Sequence, residues 1–321
     1  MGYGQYDLSA HELATRARAL ESPASVFREG HTHADMAPLF LKSRESRDSP
    51  NHPASVPIIF ALDVSGSMGD VPRLLATKTL PTFMGSVLSV TPDPQVLFLA
   101  FGNAGTDRSP LQVGQFESEA ALMDEWLTKM HLEGAGGGEG ESYELAFYVA
   151  ARKTATDAWE KRGKKGYFFM TGDERSFYAT DRATVKRVLG DDLEADTVTT
   201  YALACEAAAR DHVFFLVPDL TRAARIGTGA FWQYFLKERA IILRDPEDTA
   251  IACALLVGIT EGTFTSLADL SGTLEKVHGR TGASQERVLE AVRPYAQAVF
   301  SGTLGPIVEL GAPQPFPGMS G

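Results

Sequence analysis

The sequence predicts a doubly wound α/β fold with a mostly parallel sheet, and three observations predict it. Short continuous apolar runs of strand length recur along the chain: VPIIFALD at 56–63, QVLFLAF at 95–101, GYFFMTGD at 166–173, HVFFLVP at 212–218 and AIILRD at 240–245. Their apolar residues are consecutive rather than alternating, which suits strands buried on both faces. Between them lie stretches with apolar residues three and four positions apart, and strand–helix alternation of this kind builds a parallel sheet with helices on both faces.

The elements follow in order. Residues 1–55 are polar and punctuated, with Ser9 and Glu12 at capping-box spacing before a short helix through Leu13, Ala17 and Leu20. That segment reads as an N-terminal arm. After the strand 56–63 and the loop SGSMGDVP, Leu74, Leu75, Leu80, Phe83, Met84, Val87 and Leu88 mark a helix that Pro81 kinks. A second helix is expected over 116–132 and a third from Ser142 to Trp159. Further helical text lies at 181–189, 197–210, about 230–238 and 247–258. Two more helical patterns, 264–274 and 284–299, precede a tail, GAPQPFPGMSG, that reads as frayed or ordered by a partner. The expected division is an arm (1–55), an α/β domain (56–260) and a C-terminal helical extension (261–321), neither flank having enough apolar text for its own core.

Composition narrows the function. The 321 residues carry 30 basic and 41 acidic side chains, a net charge of −11. This argues against a general nucleic-acid binder, whose affinity comes from a basic surface, and gives no long-range attraction to anionic membranes. Two cysteines, Cys205 and Cys253, are too few for a four-cysteine zinc site and are expected as buried free thiols. No apolar run has the length of a signal peptide or a membrane span, so a cytoplasmic location is expected; position 6 is Tyr, which fails the myristoylation pattern after Gly2.

Ligands of α/β sheets bind outside the carboxyl ends of the strands. The first strand ends in Asp63-Val-Ser65-Gly-Ser67-Met68-Gly69, a carboxylate and two hydroxyls at alternate positions, which can turn three oxygens toward one hard cation. In this context the segment resembles the metal-ion-dependent adhesion site of von Willebrand factor type A (vWA) domains, over roughly residues 55–260. The resemblance implies a Rossmann-like fold with Mg²⁺ or Mn²⁺ at the top of the sheet and ligands from two further loops. In the second loop, LEGAGGGEGES, it selects Glu141, with Glu139 as rival and Ser142 as a possible hydroxyl ligand. The third loop reads Thr171-Gly172-Asp173-Glu174, where most relatives have Thr-Asp-Gly; Asp173 is the match and Glu174 a possible substitute. The glycine-rich loop is not a phosphate cradle, because it lacks the Gly-Lys-Ser/Thr ending and carries carboxylates.

Other features have plainer readings. His31 and His33 lack a third ligand. Arg44, Glu45, Arg47 and Asp48 suit a surface ion-pair cluster or a docking strip for the arm. The cations of 161–165 suit a helix C-terminus or an anionic partner. Phe231, Trp232, Tyr234 and Phe235 suit the core. Since the three loops supply Gly, Ser, Glu and Asp, the expected function is non-enzymatic: a divalent-metal-dependent module gripping a partner's Glu or Asp. The resemblance adds a bacterial or phage assembly, with an AAA+ ATPase as one such partner. The alternatives are a Mg²⁺-dependent hydrolase or phosphoryl-transfer enzyme using Asp63 and Asp173, and a structural component with a degenerate site.

Overall fold

The computed structural model describes residues 29–75, 79–132, 140–218 and 227–309, with single positions at 7, 9, 13, 16, 17, 27, 220, 221 and 224. Most of the expected N-terminal helix, Glu139 and the tail lie outside the described residues.

Six strands form the central sheet. In chain order they are β2 (Val56–Asp63), β3 (Pro94–Phe101), β4 (Leu111–Glu117), β6 (Gly166–Thr171), β9 (Asp211–Val217) and β10 (Ala240–Ile242), in spatial order β10-β9-β6-β2-β3-β4. Every pairing is parallel except β3 with β4. All eight residues of β2 are buried, as its unbroken apolar text requires. Its side chains alternate between two cores: Ile58, Phe60 and Leu62 face one, Ile59 and Ala61 the other.

The first core is covered by α2 (Leu80–Leu88), α3 (Ala120–Thr128), α9 (Thr249–Thr260), α10 (Leu267–Lys276) and α11 (Ala283–Ser301). Helices α4 (Tyr143–Arg152), α6 (Arg182–Leu189), α7 (Thr200–Arg210) and α8 (Thr228–Leu236) cover the second. The sheet is thus mostly parallel and flanked by helices. No helix among the described residues is long and apolar enough to cross a membrane.

Several expected elements differ. The helical text after β2 forms a short α1 (Val71–Leu74) and then α2, where Pro81 stands in the first turn. There its missing N–H costs nothing, so it opens a helix instead of kinking one. Strand β4 occupies part of the segment expected as helix. The stretch 142–159 divides into α4, β5 (Thr154–Thr156) and α5 (Asp157–Arg162), because β5 pairs in parallel with β1 (Arg44–Ser46) of the arm. The start of 197–210 is likewise a strand, β8 (Thr197–Thr199), paired with β7 (Ala179–Asp181).

Both flanks share the main cores. Met36 of the arm and Leu270, Leu274, Val288, Val292 and Tyr295 of the extension belong to the same apolar cluster as Phe60 of β2. Cys253 is buried as expected, whereas Cys205 is exposed on α7.

Candidate functional site

The chain leaves β2 at its buried carboxyl end with Asp63, which is 0% exposed. One oxygen, Oδ1, accepts the Ser65 N–H at 2.9 Å, and Oδ2 accepts the Tyr143 hydroxyl at 3.1 Å. Ser65 opens a single 3₁₀ turn, Gly66–Met68, yet its side chain makes no cap bond to that turn. Its hydroxyl instead lies 2.9 Å from that of Ser67, and Ser67 Oγ donates to Asp173 Oδ1 at 2.7 Å. Gly69 ends the turn at φ 52°, ψ −122°, a conformation that costs other residues heavily. Asp63 is thus tied to the Ser65 backbone, and Ser65, Ser67 and Asp173 are linked side chain to side chain across the ends of β2 and β6; none of Asp63, Ser65 and Ser67 caps the following helix.

The second loop arrives alongside. The Glu141 N–H donates to Arg175 O at 3.0 Å, and the Ser142 N–H to Gly102 O at 3.0 Å. Asn103 Nδ2 donates to Gly140 O at 2.9 Å. The Ser142 hydroxyl accepts the Ala104 N–H at 2.9 Å, so it ties loops together. The strand-like bridge between Glu141 and Ser176 completes the join between the second and third loops.

Electrostatics mark Glu141. The residue is 6% exposed and its Oε2 has no hydrogen-bond partner. Burial, followed by repulsion from Asp63, Asp107, Glu174 and Asp173, pushes its carboxyl up to about 9. Burial pushes Asp63 up to about 7, with Asp173 adding repulsion and hydrogen bonds from Ser65 and Tyr143 opposing it. Desolvated like charges raise carboxyl pKa values in this way when nothing positive compensates them.

The five expected residues therefore stand at one end of the sheet, Asp63 as the last residue of β2 and Ser65, Ser67, Glu141 and Asp173 in loops, while Glu139 lies outside the described residues. Glu174 is half-buried, and its N–H points to the Tyr143 hydroxyl at 3.4 Å. Sequence reasoning missed Asp107 and Tyr143. Asp107 follows β3, a place where the strand-end rule could have directed attention; its Oδ2 accepts the Asn103 N–H at 2.7 Å. Tyr143 read as an ordinary apolar helix residue.

As a metal centre the donor set is hard, with carboxylates and hydroxyls suited to Mg²⁺ or Mn²⁺. Among the described residues, no group of three or more His, Cys, Asp or Glu side chains is arranged to hold a metal ion. A cation would therefore depend on the Ser65 and Ser67 hydroxyls and on water as well as on carboxylates.

The other features settle differently. His33 accepts the Asp35 N–H at 3.2 Å and caps a 3₁₀ turn. Arg47 bonds Asp157 at 3.0 Å and Arg162 bonds Asp48 at 2.5 Å, tying the arm to α5. Lys161 pairs with Asp157 and Lys164 with Glu261, while Lys165 donates to Ala208 O. The basic run is thus spent on the protein itself. Phe231, Trp232 and Phe235 are buried, and Tyr234 is half exposed.

No family model matches the sequence, and no curated protein matches it. Similar solved structures include the pilus adhesin SpaC of Lactobacillus rhamnosus GG in its open conformation, at 10% identity and a TM-score of 0.45 over 68% of this chain and 31% of that one. Another is proximal thread matrix protein 1 of the mussel byssus, at 12% identity and a TM-score of 0.40 over 64% of this chain and 47% of that one. The chain thus spans less than half the length of either. These findings correct the expected membership of the vWA family. No family model supports the assignment. The resemblance rested on three short strings, and hydroxyls and carboxylates at strand ends recur for reasons of local chemistry alone.

Proposed function

We propose that the loops following β2 and β6 hold one Mg²⁺ or Mn²⁺, and that the cation docks a Glu or Asp carboxylate of a partner protein. Glu141 carries this reading: a buried carboxyl with an orphaned oxygen, crowded by other carboxylates, in contact with the loop that presents Asp173. A divalent cation offsets that crowding, and the two serine hydroxyls add neutral donors. Asp63, Ser65, Ser67, Glu141 and Asp173 would be the residues that hold it. When bound, the cation would supply Lewis acidity, for which a partner's carboxylate is a suitable ligand.

The position in the sheet supports the same reading. The chain runs from β2 outward to β3 and β4, then returns to β6 on the opposite side and continues to β9 and β10. A reversal of this kind fits a doubly wound arrangement, in which ligands bind beside the strands where the order reverses, here β2 and β6. An AAA+ ATPase entered only through the corrected resemblance, and the site has no feature that selects one.

A second reading uses the same carboxylates. Asp63 and Asp173, at the ends of the neighbouring strands β2 and β6, would hold the Mg²⁺ of a hydrolase or phosphoryl-transfer enzyme. One set of measurements separates the two. Partner capture from the source cell that requires Mg²⁺ or Mn²⁺ and is lost with chelator or Asp63→Ala supports docking. Metal-stimulated turnover of a phosphoester, lost in Asp63→Ala, supports the enzyme. Capture that persists unchanged in chelator and in Asp63→Ala would place the interaction surface elsewhere.

A further inference from the structure

Tyr143 is the first residue of α4 and is 0% exposed. Its ring is held by Phe101, Trp232 and Phe215, with ring centroids at 4.7, 5.0 and 5.4 Å. Trp232 also donates through Nε1 to Glu174 O at 2.9 Å, and Thr228 Oγ1 donates to Asp173 O at 2.9 Å. Helix α8 therefore fixes both the tyrosine ring and the third-loop backbone.

The hydroxyl sits where the three segments meet. It donates to Asp63 Oδ2 at 3.1 Å and faces the Glu174 N–H at 3.4 Å. A Cβ built at Gly172 would lie 1.9 Å from this hydroxyl oxygen. Glycine at 172 is thus the residue that leaves the hydroxyl room, which accounts for the order Gly-Asp in the third loop.

We infer that Tyr143 is a positioning residue for the cation site: its hydroxyl sets the orientation of the Asp63 carboxylate and locks it to the third loop. The inference rests on the proposed cation site. With Ser65 N–H on Oδ1 and Tyr143 Oη on Oδ2, each Asp63 oxygen has a protein donor, so the carboxylate plane cannot rotate without losing one. An ionised carboxylate accepts at about four lone-pair positions, so both oxygens keep capacity for a cation. Removing a group that orients a metal ligand through a hydrogen bond typically weakens metal binding about 10- to 100-fold.

The test is Mn²⁺ calorimetry and electron paramagnetic resonance of the full chain. Tyr143→Phe keeps the ring and deletes the hydroxyl; the expected result is about tenfold weaker binding and an altered Mn²⁺ spectrum, with the thermal midpoint in chelator close to wild type. If the Phe variant fails to fold, difference infrared spectroscopy of the wild type with ring-labelled tyrosine reads the same bond: adding Mn²⁺ should shift a tyrosine C–O band, and bands that all stay unshifted overturn the positioning role. Wild-type affinity in Tyr143→Phe, together with loss in Asp63→Ala, overturns the positioning role and leaves the site standing. Absence of Mn²⁺ binding by wild type overturns both.

Discussion

At the scale of single residues, the candidate site is costly to the fold. Burying Glu141 within the repulsion of other acids means that folding at neutral pH must either take up a proton or bear an uncompensated charge. Glu141→Gln removes that cost while weakening a metal ligand, so the two effects have opposite signs. The variant should melt higher than wild type in chelator, by roughly 1–3 kcal/mol of added stability, and bind Mn²⁺ more weakly. Differential scanning calorimetry with and without Mn²⁺ reads both, and a lower midpoint in chelator would show that Glu141 serves the fold. Asp211, the first residue of β9, gives a comparable case away from the site. Burial pushes it up to about 7, against the opposing pull of Arg210 and Lys165. A carboxyl raised in the folded state stabilises below its ordinary range and loses that contribution as pH rises through about 7. Asp211→Asn should therefore gain on wild type in chemical denaturation as pH goes from 4 to 8; a constant difference would contradict the burial argument. Asp63, Ser65 and Ser67 were legible because their spacing is local. Tyr143 was not, since its role depends on a glycine 29 positions later that only the fold brings beside it.

At the scale of elements, the buried parallel strands were legible because consecutive apolar residues have few other uses. Strand β4 was hidden by a bulge. Leu99 pairs with Val113 and Leu97 with Phe116, so three residues of β4 span two of β3. Val113 and Phe116 then face the same core at a spacing of three, so β4 lacks the strict alternation of a strand and its end, Phe116, reads with the helical text that follows. The break between α4 and α5 was hidden for another reason: β5 exists through its pairing with β1, more than a hundred residues earlier. That junction is held by Asp157, which accepts from Arg47 at 3.0 Å, Lys161 at 2.6 Å and the Asp48 N–H at 2.9 Å. Burial acts to raise its carboxyl, but Lys161, Asp48 N–H and Arg47 outweigh it and hold it at about 2. A depressed carboxyl contributes stability above its ordinary range and loses it as pH falls toward about 2. Asp157→Asn should cost about 1–2 kcal/mol at pH 7, discounted because Lys161 is largely exposed. That difference should shrink between pH 4 and pH 2 in urea titrations, and a difference independent of pH would mean that packing, not charge, holds the junction.

At the scale of the whole molecule, the flanks that read as appendages in the sequence reach the two sides of the sheet: the arm bonds the edge strand β4, and the C-terminal segment bonds Phe235 and Arg239 just before β10. An exposed edge offers unpaired N–H and C=O groups to any other chain. Along β4 the arm supplies the cover: Arg44 donates to Val113 O at 2.9 Å and Asp35 O at 3.1 Å, and Thr32 N–H to Ser109 Oγ at 3.0 Å. At the opposite edge, beside the short strand β10, the chain leaves α11 and passes from one face of the sheet to the other. Leu304 packs against the first core and Ile307 against the second. Between them Gly305 O accepts from Arg239 at 2.7 Å, and just after Ile307 the Val308 N–H donates to Phe235 O at 2.9 Å. A chain ending at residue 302 would lose these contacts and the partial burial of two apolar side chains, a cost of roughly 1–3 kcal/mol. It keeps every sheet strand and α11, so it should fold, with a far-UV spectrum close to that of the full chain. What changes is the edge. The shortened chain should associate more strongly with rising concentration than the full chain does, as light scattering coupled to gel filtration would show. Arg44→Ala, which loosens the guard on β4 while leaving β10 covered, should produce the same tendency by an independent route. If both variants keep the full chain's mass over the same concentration range, the flanks contribute packing alone, and the sheet edges are protected by the shortness of β10 and the bulge in β4.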